Sequence, residues 1–261
     1  MAIRQRYQIA EGGGKGEGTS IWEWDTRLLG AKKHTIRSFS CLCYFGPMSS
    51  ITVDPTLVYA WLTARSLARG LPPPVPDHGG FRVDTNSDTE IRRWVFPCMT
   101  NGLAALGRTI DMPRHLLKLC GTAGELRAAL PDYWRIHSPA YFMSAAGTDT
   151  ERPLPTGYVM DVDRDGAVVV VRIYAGGELA ASGYAAETED AFIYDRIETA
   201  PAHRRKGLGS GIMSTLRRAK RNRKTRELLV ATEEGRALYA TLGWRTISSY
   251  STASVRAEPA R

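Results

Sequence analysis

"AHRRKGLGSGIM", Ala202 to Met213, sets three consecutive cations against three glycines spaced by single residues, and then turns apolar. Leu208, Ile212 and Leu216 fall at i, i+4 and i+8, so a helix begins at or within the glycines. A helix N-terminus presents N–H groups without intrahelical acceptors and about half a positive charge, which makes it an anion site. Gly207, Gly209 and Gly211 let phosphate oxygens approach the backbone with no Cβ in the way. Arg204, Arg205 and Lys206 add charge at the mouth, so the stretch reads as a cradle for phosphate or pyrophosphate.

The setting narrows this. Upstream lies an antiparallel meander: "YVMDV", the turn "DRDG", "AVVVVRIYA", the turn "GG", "ELAASGYAA" and "AFIYDRIE". Downstream come the helix from Gly207, the strand "ELLVAT" at Glu227 to Thr232, a helix through Leu242 and a last strand from Arg245. The glycines thus follow an antiparallel strand, unlike those of a dinucleotide-binding βαβ unit.

"TAPAHRRKGLGSG" resembles the acyl-CoA loop, Arg/Gln-x-x-Gly-x-Gly/Ala, of the GNAT superfamily of N-acetyltransferases, with Arg204, Gly207 and Gly209 at its three fixed positions. Thr199 and Pro201 lie where that family shows a valine and a proline. "GRALYATLGW", Gly235 to Trp244, is similar to the family's AxxLYxxLGF segment and supplies Tyr239. Thr232 departs from the pattern, standing where many members carry a cofactor-contacting asparagine. The resemblance covers roughly Gly157 to Val255 and implies acetyl-CoA as cosubstrate. Its pyrophosphate is expected on Arg204, Arg205, Lys206, Gly207, Leu208, Gly209 and Ser210, and its pantetheine against the backbone of Ile197 and Thr199, where strands splay apart.

Thioester aminolysis then sets the roles. A neutral amine attacks directly, a backbone N–H such as that of Ile197 steadies the oxyanion, and an acid protonates the departing thiolate. Tyr239, with a reference pKa near ~10 against about 8.5 for a thiol, is the expected acid. Glu198 is the expected base, with Glu227 and Asp195 as alternatives; each of the three also reads as an ordinary surface carboxylate. "RRAKRNRKTR", Arg217 to Arg226, reads as a solvated face that steers the nucleotide's 3′-phosphate.

The first half begins with "GGGKGEG" at Gly12 to Gly18, a linker without the GxxxxGK[ST] pattern that its Lys15 would need in a phosphate loop. "DPTLVYAWLTARSLARG" from Asp54 carries an N-cap Asp, Pro at the first helical position and a terminal Gly70. A proline loop "LPPPVPDHGG", strands "FRVDT" and "RRWVFP", a helix near Gly102 to Leu106, strand "HLLKLCG", helix "AGELRAAL" and strands through "WRIHSPAYFM" follow. Setting "LLKLCGTAGELRAALPDYWRIHS" beside "LLVATEEGRALYATLGWRTISS" aligns Leu116 with Leu228, Leu126 with Leu238 and Leu130 with Leu242, a faint internal duplication. Arg127 then occupies the place of Tyr239 and no RxxGxG precedes the strand, so only the second half is expected to bind the cofactor. His78 with its glycines mimics the HGG oxyanion segment of esterases, but GxSxG is missing and a loop near the substrate is the expectation.

The expected fold is thus α/β of the α+β kind, a mixed central sheet with a GNAT-like acyl-CoA-binding fold in tandem. Its parts are a flexible extension over 1–50, a small degenerate GNAT-like domain over 51–146, a linker over 147–156 and the acetyltransferase domain over 157–261. No apolar run approaches the ~20 residues of a membrane span, "AVVVV" being the longest, and no signal peptide is visible, so the expected location is cytoplasmic. The four cysteines form no CxxC pair and no histidine sits at zinc spacing, so no metal is expected. A net charge of +8 favours an anionic partner. The leading function is transfer of an acetyl group to a primary amine of a small-molecule or amino-acid-like substrate, by a monomer or homodimer. A non-catalytic acyl-CoA-binding regulator and a basic nucleic-acid binder are the alternatives, the last disfavoured because no aromatic stacking pattern accompanies the cations.

Overall fold

The structure, a computed structural model, describes residues 3–6, 53–146 and 153–256. The glycine linker and most of 147–156 lie outside the described residues. In the first part, β1 (Ile3–Arg6), α1 (Pro55–Ala68), β2 (Val75–Asp77), β3 (Gly80–Asp84), β4 (Arg92–Phe96), α2 (Asn101–Thr109), β5 (His115–Leu119), α3 (Ala123–Ala129), β6 (Trp134–Ile136) and β7 (Ala140–Ala145) follow in order. In the second come β8 (Tyr158–Asp165), β9 (Val168–Ala175), β10 (Glu178–Glu187), β11 (Ala191–Thr199), a short turn at Pro201–His203, α4 (Leu208–Arg218), β12 (Arg226–Thr232), α5 (Glu233–Thr241) and β13 (Trp244–Val255).

Local chemistry explains most boundaries. Asp54 caps α1 by accepting the Thr56 N–H at 2.9 Å, and Pro55 follows where no N–H is needed. Thr122 and Glu125 close a reciprocal capping box on α3. The one strand unforeseen in the proline loop, β2, is tolerable there because it is the edge of the sheet and pairs only with β3, so Pro76 costs no interior hydrogen bond. Of residues 1–50 only β1 is described, and it pairs antiparallel with β8.

The two halves repeat one order. β8 to β11 form an antiparallel meander and β12 lies parallel to β11, with α4 between them. β2 to β4 form a shorter meander and β5 lies parallel to β4, with α2 between them. A parallel strand reached through a helix leaves one edge unpaired, and unpaired edges need partners. Each half takes that partner from the other: β7 inserts between β12 and β13, antiparallel to both, and β13 runs on to pair with β5. The result is one continuous path, β1-β8-β9-β10-β11-β12-β7-β13-β5-β4-β3-β2, with β6 on β13.

α1 lies on one face, where Val58, Trp61 and Leu62 pack with Phe142, Ile193 and Leu228. Burial of Trp61 and Leu62, at 3% and 1% exposure, contributes roughly 1.5–3 kcal/mol each. α4 and α5 cover the opposite face of β11 and β12 through Ile212, Leu216 and Tyr239 against Phe192 and Leu229. Among the described residues no helix is long and apolar enough to cross a membrane.

Candidate active site

The parallel pairing of β11 with β12 covers Ala191↔Arg226, Phe192↔Glu227 and Ile193↔Leu228 and then stops, although the strands continue to Thr199 and Thr232. A groove opens between them, and the backbone groups of β11 that face it lack a strand partner. The cause is a bulge: Tyr184 pairs with Asp195 and Ser182 with Glu198, so Arg196 and Ile197 together oppose Gly183. Arg196 stands at φ 52°, held there by a hydrogen bond to the Ala68 carbonyl at 2.6 Å and by its guanidinium 3.6 Å from the Tyr184 ring centroid. A Cβ on Gly183 would lie 2.4 Å from Ile212 Cγ2, so glycine is what lets α4 rest on the bulge. Ile197 and Thr199 both fall on the diverging stretch of β11.

At the groove's mouth the chain turns through Arg205 at φ 61° and Gly207 at φ 81° and enters α4. The Gly211 N–H reaches the Gly207 carbonyl at 3.0 Å, while the N–H groups of Leu208, Gly209 and Ser210 precede the first helical acceptor. α1, α2, α3 and α5 each have a side-chain cap, from Asp54, Thr100, Thr122 and Thr232, whereas α4 has none. Uncapped donors beside three exposed cations are the arrangement that an anion completes. The side chains of Leu208 and Ser210 are buried, so those residues can offer only their N–H groups. Arg204 donates from Nε to the Thr199 carbonyl at 3.3 Å, and Lys206 Nζ stands 5.9 Å from the Tyr158 ring centroid.

Tyr239 lies on the α5 face of the groove, 7% exposed, its ring centroid 6.1 Å from that of Trp244. Burial pushes its phenol up to about 12. Glu198, exposed and paired with Ser182, stands on the α1 face, so the two candidate proton carriers flank the groove from opposite sides. The alternative bases are engaged otherwise. Glu227 accepts from the Tyr194 hydroxyl at 2.7 Å and from Arg217 and Lys220 at 3.2 Å each. Asp195 accepts two bonds from Arg69, at 2.6 and 2.9 Å, with Arg65 at 3.7 Å. Burial raises the Asp195 carboxyl, but the Arg69 hydrogen bond and the charges of Arg65, Arg69 and Arg196 outweigh it and hold it below the usual carboxylate range. Neither is open to a substrate proton.

Two further features bear on the expected site. Thr232 caps α5 by accepting the Gly235 N–H at 3.2 Å, which commits its hydroxyl to the helix. The Arg217 to Arg226 run sits at the C-terminal end of α4, about 16 Å from the loop by the length of its 11 residues and beyond a Debye length of ~8 Å. Part of it is internal structure: the N–H groups of Arg221 and Asn222 bond the Glu187 carboxylate at 2.9 and 2.8 Å.

The corresponding place in the first half is shut. β4 and β5 stay paired over all five residues, Arg92↔His115 to Phe96↔Leu119, and the Cys120 N–H extends the contact to the Phe96 carbonyl at 2.8 Å. Thr100 caps α2, and a Cβ on Gly102 would lie 1.9 Å from the His78 carbonyl oxygen. The HGG turn therefore packs against the start of α2. Arg127 spends its guanidinium on the carbonyls of Trp134, Leu130 and Pro131. A cavity of about 330 Å³, lined by Leu57, Ser144, Arg226, Glu227 and Ile247 among others, opens at the far end of β12 from the groove.

Residues 159–246 match a family model described as an acetyltransferase (GNAT) domain. A GCN5-related N-acetyltransferase from Kribbella flavida is similar in structure over 80% of this chain and 97% of its own, at 14% identity and a TM-score of 0.55. An acetyltransferase from the GNAT family of Novosphingobium aromaticivorans DSM 12444 is similar over 79% of this chain and 100% of its own, at 14% identity and a TM-score of 0.50. At that identity the likeness speaks for the fold, and such coverage takes in both halves. No curated protein matches the sequence. Residues 159–246 of this chain are a GNAT acetyltransferase domain.

Proposed function

We propose that the protein transfers the acetyl group of acetyl-CoA to a primary amine of a small-molecule or amino-acid-like substrate, by direct attack of the amine on the thioester. The observation that supports this most is the uncapped start of α4 opening onto the groove beside β11. The N–H groups of Leu208, Gly209 and Ser210, with Arg204, Arg205 and Lys206, bind the pyrophosphate. The main chain of Ile197 and Thr199 holds the pantetheine arm, and the Ile197 N–H donates to the thioester oxygen as charge develops, a contact of a kind worth about 10²- to 10³-fold in kcat.

The amine enters from the α1 face, where Glu198 takes its proton directly or through water. Tyr239 acts from the other face on the leaving sulfur. With the phenol near 12 and a thiol near about 8.5, full proton transfer to a free thiolate is uphill by roughly 5 kcal/mol. The hydroxyl therefore works as a hydrogen-bond donor to the sulfur while the C–S bond breaks, and the proton moves only as far as that charge requires.

Calorimetric titration with acetyl-CoA, followed by free-thiol release across a library of primary amines, tests the reading. Saturable binding and thiol release with at least one amine are expected. Binding with no turnover for any amine would identify an acyl-CoA-binding regulator, and no binding would remove the cofactor from the account.

A further inference from the structure

Charge of one sign accumulates on the α1 face, the side on which Glu198 stands. Arg65 and Arg69 reach Asp195 at 3.7 and 2.6 Å, Arg196 approaches the same carboxylate at 3.5 Å, and Arg93 closes on Glu90 with one bond of 2.8 Å. Lys118, on β5, donates to the Thr252 hydroxyl at 3.2 Å and stands 5.9 Å from the Tyr250 ring centroid. No carboxylate lies within ion-pair distance of it among the described residues. Five cations thus share two carboxylates, and both carboxylates are already bonded to guanidinium groups.

Much of the cluster is shielded from water, while Arg69 and Arg196 keep 29% and 33% of their side-chain surface exposed. Side-chain exposure is 18% for Arg65, 11% for Asp195, 6% for Arg93 and 13% for Glu90. Uncompensated charge in such a place is costly. Lys118 registers that cost: burial and then the field of Arg65, with Arg69 adding and Glu90 opposing, bring its amine down to about 8. A ligand anion would relieve the imbalance, and a planar or tetrahedral oxyanion suits the guanidinium forks and the lysine point charge alike. The cluster also touches the reactive strand, because Asp195 immediately precedes the bulged pair Arg196 and Ile197.

We propose that Lys118, with Arg65 and Arg69, binds an anionic group of the acceptor, a carboxylate or a phosphate, so that the amine acetylated is amino-acid-like or phosphorylated. This rests on the acetyl-transfer reading for the amine end of the same site. Such a contact acts on ground state and transition state alike and so appears in affinity.

Calorimetry on the full chain tests it, with CoA as one titrant. The others are acetylated products in pairs: N-acetylglycine and N-acetyl-L-phenylalanine beside their amides, and N-acetyl-2-aminoethyl phosphate beside N-acetylethanolamine. At least one anionic member should bind about tenfold tighter than its neutral twin, and whether it is a carboxylate or the phosphate identifies the group. Lys118→Met should remove that tenfold difference and Lys118→Arg restore it, with CoA affinity reporting that each variant is folded. If no anionic member outbinds its twin, or Lys118→Met weakens both twins equally, the inference falls. CoA binding without anion preference would overturn the anion site and leave acetyl transfer standing; anion preference without CoA binding would do the reverse.

Discussion

Tyr239→Phe should lower kcat for acetyl transfer by about 10²- to 10³-fold while changing the acetyl-CoA Kd by less than about twofold. The substitution removes one oxygen and keeps the ring against Trp244, 6.1 Å away between centroids. Desolvation is the sole cause of the raised phenol pKa, so no hydrogen bond within the described structure is lost with the hydroxyl. Stability should therefore hold, since the substitution removes no protein–protein hydrogen bond and keeps the buried ring. The same burial predicts a pH profile. A group raised to about 12 stays protonated through the alkaline range, so kcat/KM of the wild type should climb as the amine loses its proton and show no falling limb up to pH ~10. An ordinary phenol in the same role would begin to fail near ~10. Unaltered turnover in Tyr239→Phe would remove the residue from the chemistry.

The second large effect is expected in binding. Gly209→Val should weaken acetyl-CoA affinity at least 100-fold, about 3 kcal/mol. A Cβ at Gly209 comes to 3.3 Å from Leu238 Cδ2, tighter than ordinary contact, and valine adds two methyls to that Cβ beside the gap between α4 and α5. That gap is the mouth of the groove, next to the free N–H groups. Helix propensity does not confound the test, because valine is a better helix former than glycine by a few tenths of a kcal/mol. Thermal unfolding should therefore move little while binding disappears. Alanine at the same position places one carbon in tight contact and should cost only a few-fold. Normal acetyl-CoA affinity in the valine variant would mean that the loop from Arg204 to Ser210 serves something else.

What could be read in the sequence was what neighbouring residues decide. Asp54 and Pro55 start α1 by their own side chains, "DRDG" and "GG" turn the meander, and the glycines after Arg204 mark where α4 begins. The order of strands and helices in each half was also legible from turn residues and caps, whereas of the aligned leucines Leu126 and Leu130 are buried in one core cluster and Leu116 is in none. The fate of the acidic residues was not legible. Asp195 is claimed by Arg69, 126 positions away, and Glu227 by two cations on and beyond α4, so their availability as bases depended on tertiary contacts alone. Nor did composition reveal the bulge, which places an arginine where a positive φ would suggest glycine. The closure of the first half turned on a backbone approach, the His78 carbonyl against Gly102, that no spacing rule encodes.

The insertion of β7 between β12 and β13 bears on how this chain can evolve. Among the described residues of the first half, β4 and β5 stay paired throughout and Thr100 caps α2, so no groove like that beside β11 opens there. The first half cannot be deleted, however, because β7 supplies the hydrogen bonds along the outer edge of β12, the strand that walls the groove beside β11, from Leu228↔Ser144 to Thr232↔Ala140. A gene shortened to its matching segment would encode β12 with a missing neighbour and β13 without its partners β7 and β5. The first half is therefore held by its backbone, whose strands complete the sheet of the second.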